Sequence, residues 1–543
     1  MANPRLTFPP RAGVVSDTVH GYVTLSPLER VILDQPVAQR LRYVAQNGLA
    51  QLVYPSSVTS RFSHSLGTMH LASKFLAATV RNSRPDAIAQ LQQGIRDYAR
   101  QRGFSANAIG RMAPSVDSDA LLVPRLVGDA DRRWWVFAEQ SLRLAALFHD
   151  LGHLPFSHDF EHALRESWRK SSVQARESSP LRPLFIKPEE PPHESIGHQL
   201  APRLLRSVAS THRVTSPKAL SVTFELAGDI LEATLDSPVG PAAATTRLLH
   251  ILIDGDVDAD RCDYILRDGR AYGFDFAGYD LTRLLDNLAV VARPEEEVGR
   301  PQLDVVVRSQ GLSSVESFLI ARFRSYQYGT RHHKVAQVGA SLQHCIERLL
   351  MAPPASLKHD VSHFRAVIAD VFSADTSLEF DRRVLQSFAE CDDMWCMRLL
   401  RAACSDAPED QWLGLVCWRR PGPVSLWKRP SDFPADLPVW NESLNRSRDL
   451  EAAAHWDTAV AELLADGVLV LRHRFWPLGK TPERRDRLQV LDSAGLVDVS
   501  KASPLLGALE GAWMEDVQVH AARTRESKVT AAEVIDRLSW PAR

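Results

Sequence analysis

Four histidines fall within fifteen residues in the segment FHDLGHLPFSHDFEH, residues 148–162. His149, Asp150 and His153 stand at i, i+1 and i+4. That spacing lets imidazole and carboxylate from adjacent positions grip one ion at a helix end, with a second imidazole on the same side. A break at Gly152 to Pro155 re-aims the chain, so His158 and Glu161 need not share that face. A lone buried histidine is usually a satisfied core residue, but that reading weakens as ligand types accumulate. Two further pieces are remote in sequence. RFSHSLG puts His64 at the start of a helix, with Arg61 one turn before it. IDGDVDADRCDYILRD, residues 253–268, supplies Asp254, Asp256, Asp258, Asp260, Asp263 and Asp268. These alternating aspartates do not make an EF-hand. That loop needs glycine at its sixth position and glutamate at its twelfth, where the chain has Ala259 and Ile265.

The elements that must position these groups are mainly helical. Apolar spacing predicts a helical stretch over 26–50, broken at Pro36, with Ser26 as N-cap and Pro27 at the first helical position. Further helices are expected at 65–80, 137–151, 194–209, 219–235, 245–265 and 314–350. Residues 302–308 alternate as a strand does. The mixed polar stretch 82–133 reads as an insertion or lid, and the proline-rich stretch 168–192 as loop. Residues 405–445, rich in Pro and Trp, read as an irregular connector. After Leu450 a helix and then a strand pair or edge strand are expected. The fold class is mainly α, in three parts: a helical core over 1–345, a helical extension with connector over 346–445, and a small mixed α/β region over 446–543.

Composition narrows the function. The 543 residues are 45% hydrophobic and 24% charged, with a net charge of −2. That balance excludes a strongly basic coat for nucleic acid and an acidic solvating tail. The basic run at 472–487, interleaved with Phe475 and Trp476, could bind single-stranded nucleic acid, although such runs are more often a solvated face. No apolar stretch approaches bilayer length, the N-terminus has no apolar signal core, and six cysteines are too few for a disulfide scaffold. A soluble cytoplasmic protein with reduced, buried thiols is expected, with no membrane partner.

The residues also carry a family resemblance. His64, then His149–Asp150, then an aspartate of the DADRCDY run resemble the H…HD…D set of HD-domain metal-dependent phosphohydrolases. Within that superfamily, the match is to the dNTP triphosphohydrolases that join a sterile-alpha-motif domain to an HD domain, and to their bacterial dGTPase-like relatives. The similar segments run in family order from SDTVHGYVTLSPLE (16–29) through YPSSVTSRFSHSLG (54–67), HDLGHLPFSHDFE (149–161) and HES (193–195) to DADRCDYILRDGRAYG (258–273) and HHKV (332–335). The resemblance implies a divalent ion (Mn, Mg or Fe) on His64, His149, Asp150 and Asp260. It implies a catalytic group of His153, His158, Glu161 and His193, with His158 as proton donor. Gln46 and Asp268 would meet the sugar 3′-hydroxyl, Tyr264 would pack beside the ribose, and Arg61, Arg261 and Lys334 would hold phosphates. The implied reaction is hydrolysis of a deoxynucleoside triphosphate to deoxynucleoside and inorganic triphosphate.

Some positions depart from the family pattern. Glu161 stands where the family has aspartate, Asn47 where it has an apolar residue against the sugar, and Arg331 where it has a tyrosine that excludes the 2′-hydroxyl. Asn47 and Arg331 keep ribonucleotides, alarmones and nucleic-acid ends in play as substrates of another HD-type phosphohydrolase or nuclease, and a non-catalytic nucleotide-sensing or nucleic-acid-binding protein is a further alternative. Asp34 and Arg42 match residues that read an activating guanine nucleotide in relatives that assemble as homo-oligomers. The same QRLR segment could instead simply pack within a core helix.

Overall fold

The structure, a computed structural model, describes residues 13–105, 120–188, 190–212, 216–233, 240–293, 302–427, 446–475, 488–493, 495–509, 514–522 and 529–538. The tip of the expected lid (106–119), much of the connector (428–445) and most of the basic run (476–487) lie outside these residues. The fold is mainly α, as the apolar spacing implied. At its centre lies the helix Arg61–Asn82, whose Phe62, Leu66, Met69, Phe75 and Leu76 are buried. It packs against the helices Asp129–Phe148 and Ala259–Tyr272, both of which carry site residues or end at them. Among the described residues, no helix is long and apolar enough to cross a membrane.

Among the described residues, three small sheets trim the helices. An antiparallel hairpin, Gly13–Asp17 with Gly21–Leu25, opens the described chain. A four-stranded sheet orders Leu288–Arg293, Gln302–Arg308, Gln489–Leu491 and Leu496–Asp498 side by side. The expected strand at 302–308 is present, and it pairs in parallel with Gln489–Leu491. Residues late in the chain therefore complete a sheet begun in the core. A third sheet sets Met514–Ala521 between Val424–Trp427 and Val468–Phe475.

The structure divides two stretches that read as continuous helices. The 245–265 segment becomes Pro241–Ile251 and Ala259–Tyr272, because the Asp258 side chain accepts from Gly255 N and Arg261 N and so closes a turn and caps the second helix. The 314–350 segment becomes Leu312–Arg324, a π-helical turn Ser325–Thr330, and His333–Met351. The 82–133 stretch is less loose than its polar composition suggests. It contains the helix Pro85–Gln101, started by proline at its first position and burying Leu91, Ile95 and Tyr98. The connector likewise contains a helix, Gln411–Trp418, capped by the Asp410 carboxylate. All six cysteines are buried and unpaired, as expected.

Ser26 begins the helix Pro27–Leu33 through a capping box closed by Glu29. The same carboxylate, fully buried, accepts from Gln140 Nε2 at 2.8 Å and from Arg143 Nε and Nη2, each at 2.7 Å. One glutamate thus pins the first helix to the Asp129–Phe148 helix that ends in the His-Asp pair. Glu29→Ala leaves the Arg143 guanidinium buried without the carboxylate it bonds, and the expected cost is about 3–5 kcal/mol. Urea denaturation followed by circular dichroism measures it; a midpoint equal to that of the parent would show that the pair does not hold these helices together.

Candidate metal centre and histidine group

The Asp129–Phe148 helix ends with His149 as its C-cap, so Asp150 and His153 lie in the turn beyond it rather than on a continuing helical face. The turn folds back through Phe156 and Ser157, both at φ 55°. This left-handed backbone is costly for residues with a Cβ, of order 1–3 kcal/mol each. It is held from several sides. Asp393 accepts from Phe156 N at 2.6 Å and from Ala45 N at 2.8 Å, and Ser157 Oγ donates to Ala45 O. Arg61 Nε donates to Ser157 Oγ at 2.9 Å. The buried Arg40 reaches Leu151 O, His153 O and Cys391 O. The strained turn launches the helix His158–Lys170, which carries Glu161 in its first turn.

Two clusters of ligand-type groups result. In the first, one donor atom each from His64, His149 and Asp260 lies within 4.8 Å of the others. His64 Nδ1 meets Asp263 Oδ2 at 2.8 Å, and His149 Nδ1 meets Ala146 O at 2.7 Å. Both Nε2 atoms therefore face inward, buried and without a partner of hydrogen-bonding geometry, although Asp260 Oδ1 lies 2.8 Å and 3.8 Å from them. Outer groups that fix each imidazole while its second nitrogen points at a shared centre are what a metal ligand needs. These residues fit a divalent ion. Asp150 stands 3.6 Å from His64 Nε2 and 3.3 Å from His149 Nε2, but its carboxylate also takes Arg61 Nη1 at 3.0 and 3.1 Å. Burial would raise Asp150 and lower His64. The charges of Arg61, His149 and His153 instead hold Asp150 well below the usual range, and Asp260, Asp263 and Asp150 pull His64 up to about 10.

In the second cluster, three imidazoles converge on Glu161. His153 Nδ1 and His193 Nδ1 lie 3.0 Å from it and His158 Nδ1 3.4 Å. The rings of His153 and His193 stack at 4.0 Å. Burial would raise Glu161, yet His193 and His153 hold it well below the carboxylate range. Burial, helped by Arg61 and His193, pushes His153 down to about 3. The His158 side chain is 60% exposed, whereas those of His153 and Glu161 are buried. Asp150 joins the clusters, since His153 Nε2 lies 3.1 Å from its Oδ1.

A cavity of about 340 Å³ opens beside both clusters and is lined by Gln46, Arg61, His158, Asp260, Arg261, Tyr264 and Asp268. All of these were expected from the sequence. Asn47, Tyr272 and Tyr326 join them. Arg261 Nη1 bonds Asp254 and Asp258, and burial pushes Asp268 up to about 6. Other expected residues lie elsewhere. Lys334 is not in the lining and donates to Gln337 Oε1. Asp34 is the exposed C-cap of the Pro27–Leu33 helix, and exposed Arg42 lies over the Phe62 ring and bonds Gln39. Sequence reasoning missed Asp263, His20, Asp393 and Ser157 as supports. The DYxxRD spacing was the one available signal for Asp263.

No protein-family profile matches the chain. Among curated proteins it is 25% identical over 322 residues to an uncharacterized protein of Methanocaldococcus jannaschii, covering 59% of this chain and 46% of that one. It is 23% identical over 320 residues to an uncharacterized protein of Bacillus subtilis, covering 58% and 50%. It is 30% identical over 151 residues to the deoxynucleoside triphosphate triphosphohydrolase SAMHD1 of Homo sapiens, covering 27% and 16%. These matches span half or less of the relatives' own lengths. Among solved structures, a phosphohydrolase from Bacteroides thetaiotaomicron superposes with a TM-score of 0.56 at 18% identity, over 95% of this chain and 100% of that one, which shows a shared fold. The resemblance to HD-domain phosphohydrolases read from the motifs is borne out.

Asp263→Asn removes the carboxylate that sets the His64 tautomer and ring. Affinity for Mn²⁺, measured by calorimetric titration, is expected to fall about 10–100-fold. Unchanged affinity would mean that His64 needs no outer support or binds no metal.

Proposed function

We propose that the chain hydrolyses deoxynucleoside triphosphates to deoxynucleoside and inorganic triphosphate by attack of water at the α-phosphorus. The observation that carries this reading is the 340 Å³ cavity, where sugar-binding and phosphate-binding side chain types meet both clusters. A divalent ion held by His64, His149, Asp150 and Asp260 would supply Lewis-acid polarisation of the phosphoryl group and a lower pKa for the attacking water.

The other roles belong to the side chains. Arg61 and Arg261 carry the positive charge that faces the phosphates. The sugar 3′-hydroxyl donates its one proton to Gln46 Oε1, which is buried without a hydrogen-bond partner, and the Asp268 carboxyl lies beside the same group. Tyr264 packs beside the ribose. The expelled O5′ needs a proton, and exposed His158, with Nδ1 turned to Glu161, presents Nε2 to the cavity to supply it. Glu161 stays ionised and stabilises the imidazolium, with His193 completing its coordination. His153, with Nδ1 3.0 Å from Glu161 and Nε2 3.1 Å from Asp150, stands between the two anions beside the phosphates.

A second reading, hydrolysis of ribonucleotides, alarmones or nucleic-acid ends, draws on Asn47. Its buried Nδ2, close to the Asp268 carboxyl but without a partner of hydrogen-bonding geometry, could meet a 2′-hydroxyl. Activation by a nucleotide and homo-oligomer formation rest on Asp34 and Arg42, and a size-exclusion profile that shifts with GTP or dNTPs would support both.

The deciding experiment incubates the protein with Mn²⁺ or Mg²⁺ and each of four dNTPs and four NTPs, with products resolved by ion-pair chromatography. Deoxynucleoside plus intact triphosphate is expected, with kcat falling about 10²–10⁴-fold in His158→Asn. Equal turnover of NTPs would favour the second reading, and monophosphate plus pyrophosphate as products would refute attack at the α-phosphorus with loss of O5′.

A further inference from the structure

A second cavity, of about 230 Å³, adjoins the first and shares Gln46, Asn47, His158 and Thr330 with it. The shared walls include Gln46, placed above at the sugar, and Asn47 next to it, whereas Asp260 and Arg261 line the first cavity alone. Its remaining walls are largely apolar, with Leu49, Phe156, Val335 and Ala340 among them. Set into this apolar slot is a carboxylate, Asp159, which the reaction above does not use.

The chain makes room for that carboxylate. Gly48, at φ +49°, leaves a space where a Cβ would collide with Asp159 Oδ2, and a Cβ on Gly339 would come within 3.3 Å of Oδ1. Gln343 Nε2 donates to Oδ1 at 2.8 Å. A carboxylate can accept about four hydrogen bonds, and one donor leaves most of that capacity open. Burial raises the Asp159 carboxyl, and the Gln343 hydrogen bond and the charges of His162 and His158 offset that only in part. Holding a carboxylate in such a slot costs stability unless a ligand brings donors to it.

We infer that this second cavity is a nucleobase subsite and that Asp159 selects guanine. The inference rests on the proposed nucleotide reaction, since it takes the sugar to lie in the first cavity. A planar base of purine size suits an apolar slot entered from the sugar. Among the common bases, guanine alone sets two donors side by side on one edge, N1–H and the 2-amino group, which match the two oxygens of a carboxylate. Adenine and cytosine place a ring-nitrogen acceptor beside their amino group, and thymine flanks its single N–H with carbonyl oxygens. Each of these would set a lone pair against Asp159. Discrimination by an unpaired buried polar group is strong compared with discrimination by fit alone.

The test compares dGTP with dITP, which lacks only the 2-amino group. Binding to the full chain is measured by calorimetric titration in EDTA, so that metal-dependent turnover cannot intrude, and kcat/KM is measured separately with Mn²⁺. Wild type is expected to bind dGTP about tenfold or more tightly than dITP, and Asp159→Asn to bring the ratio within about twofold. A ratio does not depend on the fraction of protein folded, and the wild-type arm stands alone if the variant fails to fold. Equal affinities in wild type, a preference that survives the substitution, or no binding of either nucleotide overturns the subsite. Turnover of both nucleotides at equal efficiency keeps the reaction and removes the subsite, whereas binding preference without turnover keeps the subsite and removes the reaction.

Discussion

One carboxylate, Asp263, joins the elements on which the site is built. It meets His64 Nδ1 from the Arg61–Asn82 helix and His20 Nε2 from the turn of the N-terminal hairpin. It also accepts from Arg267, one turn along its own helix, and Arg267 bonds Asp17 at the end of the hairpin's first strand. The approach is so close that Gly67 admits no side chain: a Cβ there would collide with Asp263. Fully buried, Asp263 would be unstable as an anion without these donors, which hold it far below its ordinary range. The arrangement fixes the tautomer of His64 and so leaves Nε2 facing Asp260.

The opposite wall depends on a different device. Phe156 and Ser157 occupy a strained backbone that only surrounding contacts can maintain. Those contacts come from afar: Asp393 from the helical extension, Arg61 from the central helix, and Ala45 from the loop beside Gln46. Because Asp393 grips Ala45 and Phe156 together, it couples the segment that carries Gln46 to the turn that presents His158. Residues some 240 positions downstream of the histidine group thus help shape it. The extension does more than enclose the core.

Chemistry was more legible in the sequence than support. The cluster at 148–162 could be read because few other roles bring so many ligand types so close together, whereas His64, Asp260, Glu161 and His193 were assigned by the family resemblance. Gln46, Arg261 and Asp268 followed from the motifs around them. The helices were legible where apolar periodicity was long, as in Pro192–Thr211 and Pro217–Leu231. The rest was hidden for physical reasons. The hairpin at 13–25 is two five-residue strands largely open to solvent on one face, too short for a periodic signal. The breaks at Asp258 and at the π-turn depend on side-chain caps and local hydrogen bonds that periodicity does not register. Asp393 acts through two backbone amides distant in sequence, and no local pattern announces that.

Asp150 shows why the two clusters belong to one site. Its carboxylate is shared between the imidazoles of His64 and His149 on one side and His153 on the other, with Arg61 bound to both oxygens. An aspartate serving only an ion would not need the guanidinium. One serving only Arg61 would not need two Nε2 atoms turned toward it. The shared position sets the electrostatics of each half: Arg61 helps to keep His153 neutral, and the cluster's negative charge keeps the other imidazoles basic. Glu161 then stands as the separate anion on which His158 and His193 turn. In the proposed reaction the two anionic centres, one beside the ligand-type imidazoles and one beside the exposed imidazole, would divide the work of stabilising charge from that of moving a proton. The group that separates them is His153, whose Nδ1 faces Glu161 and whose Nε2 faces Asp150.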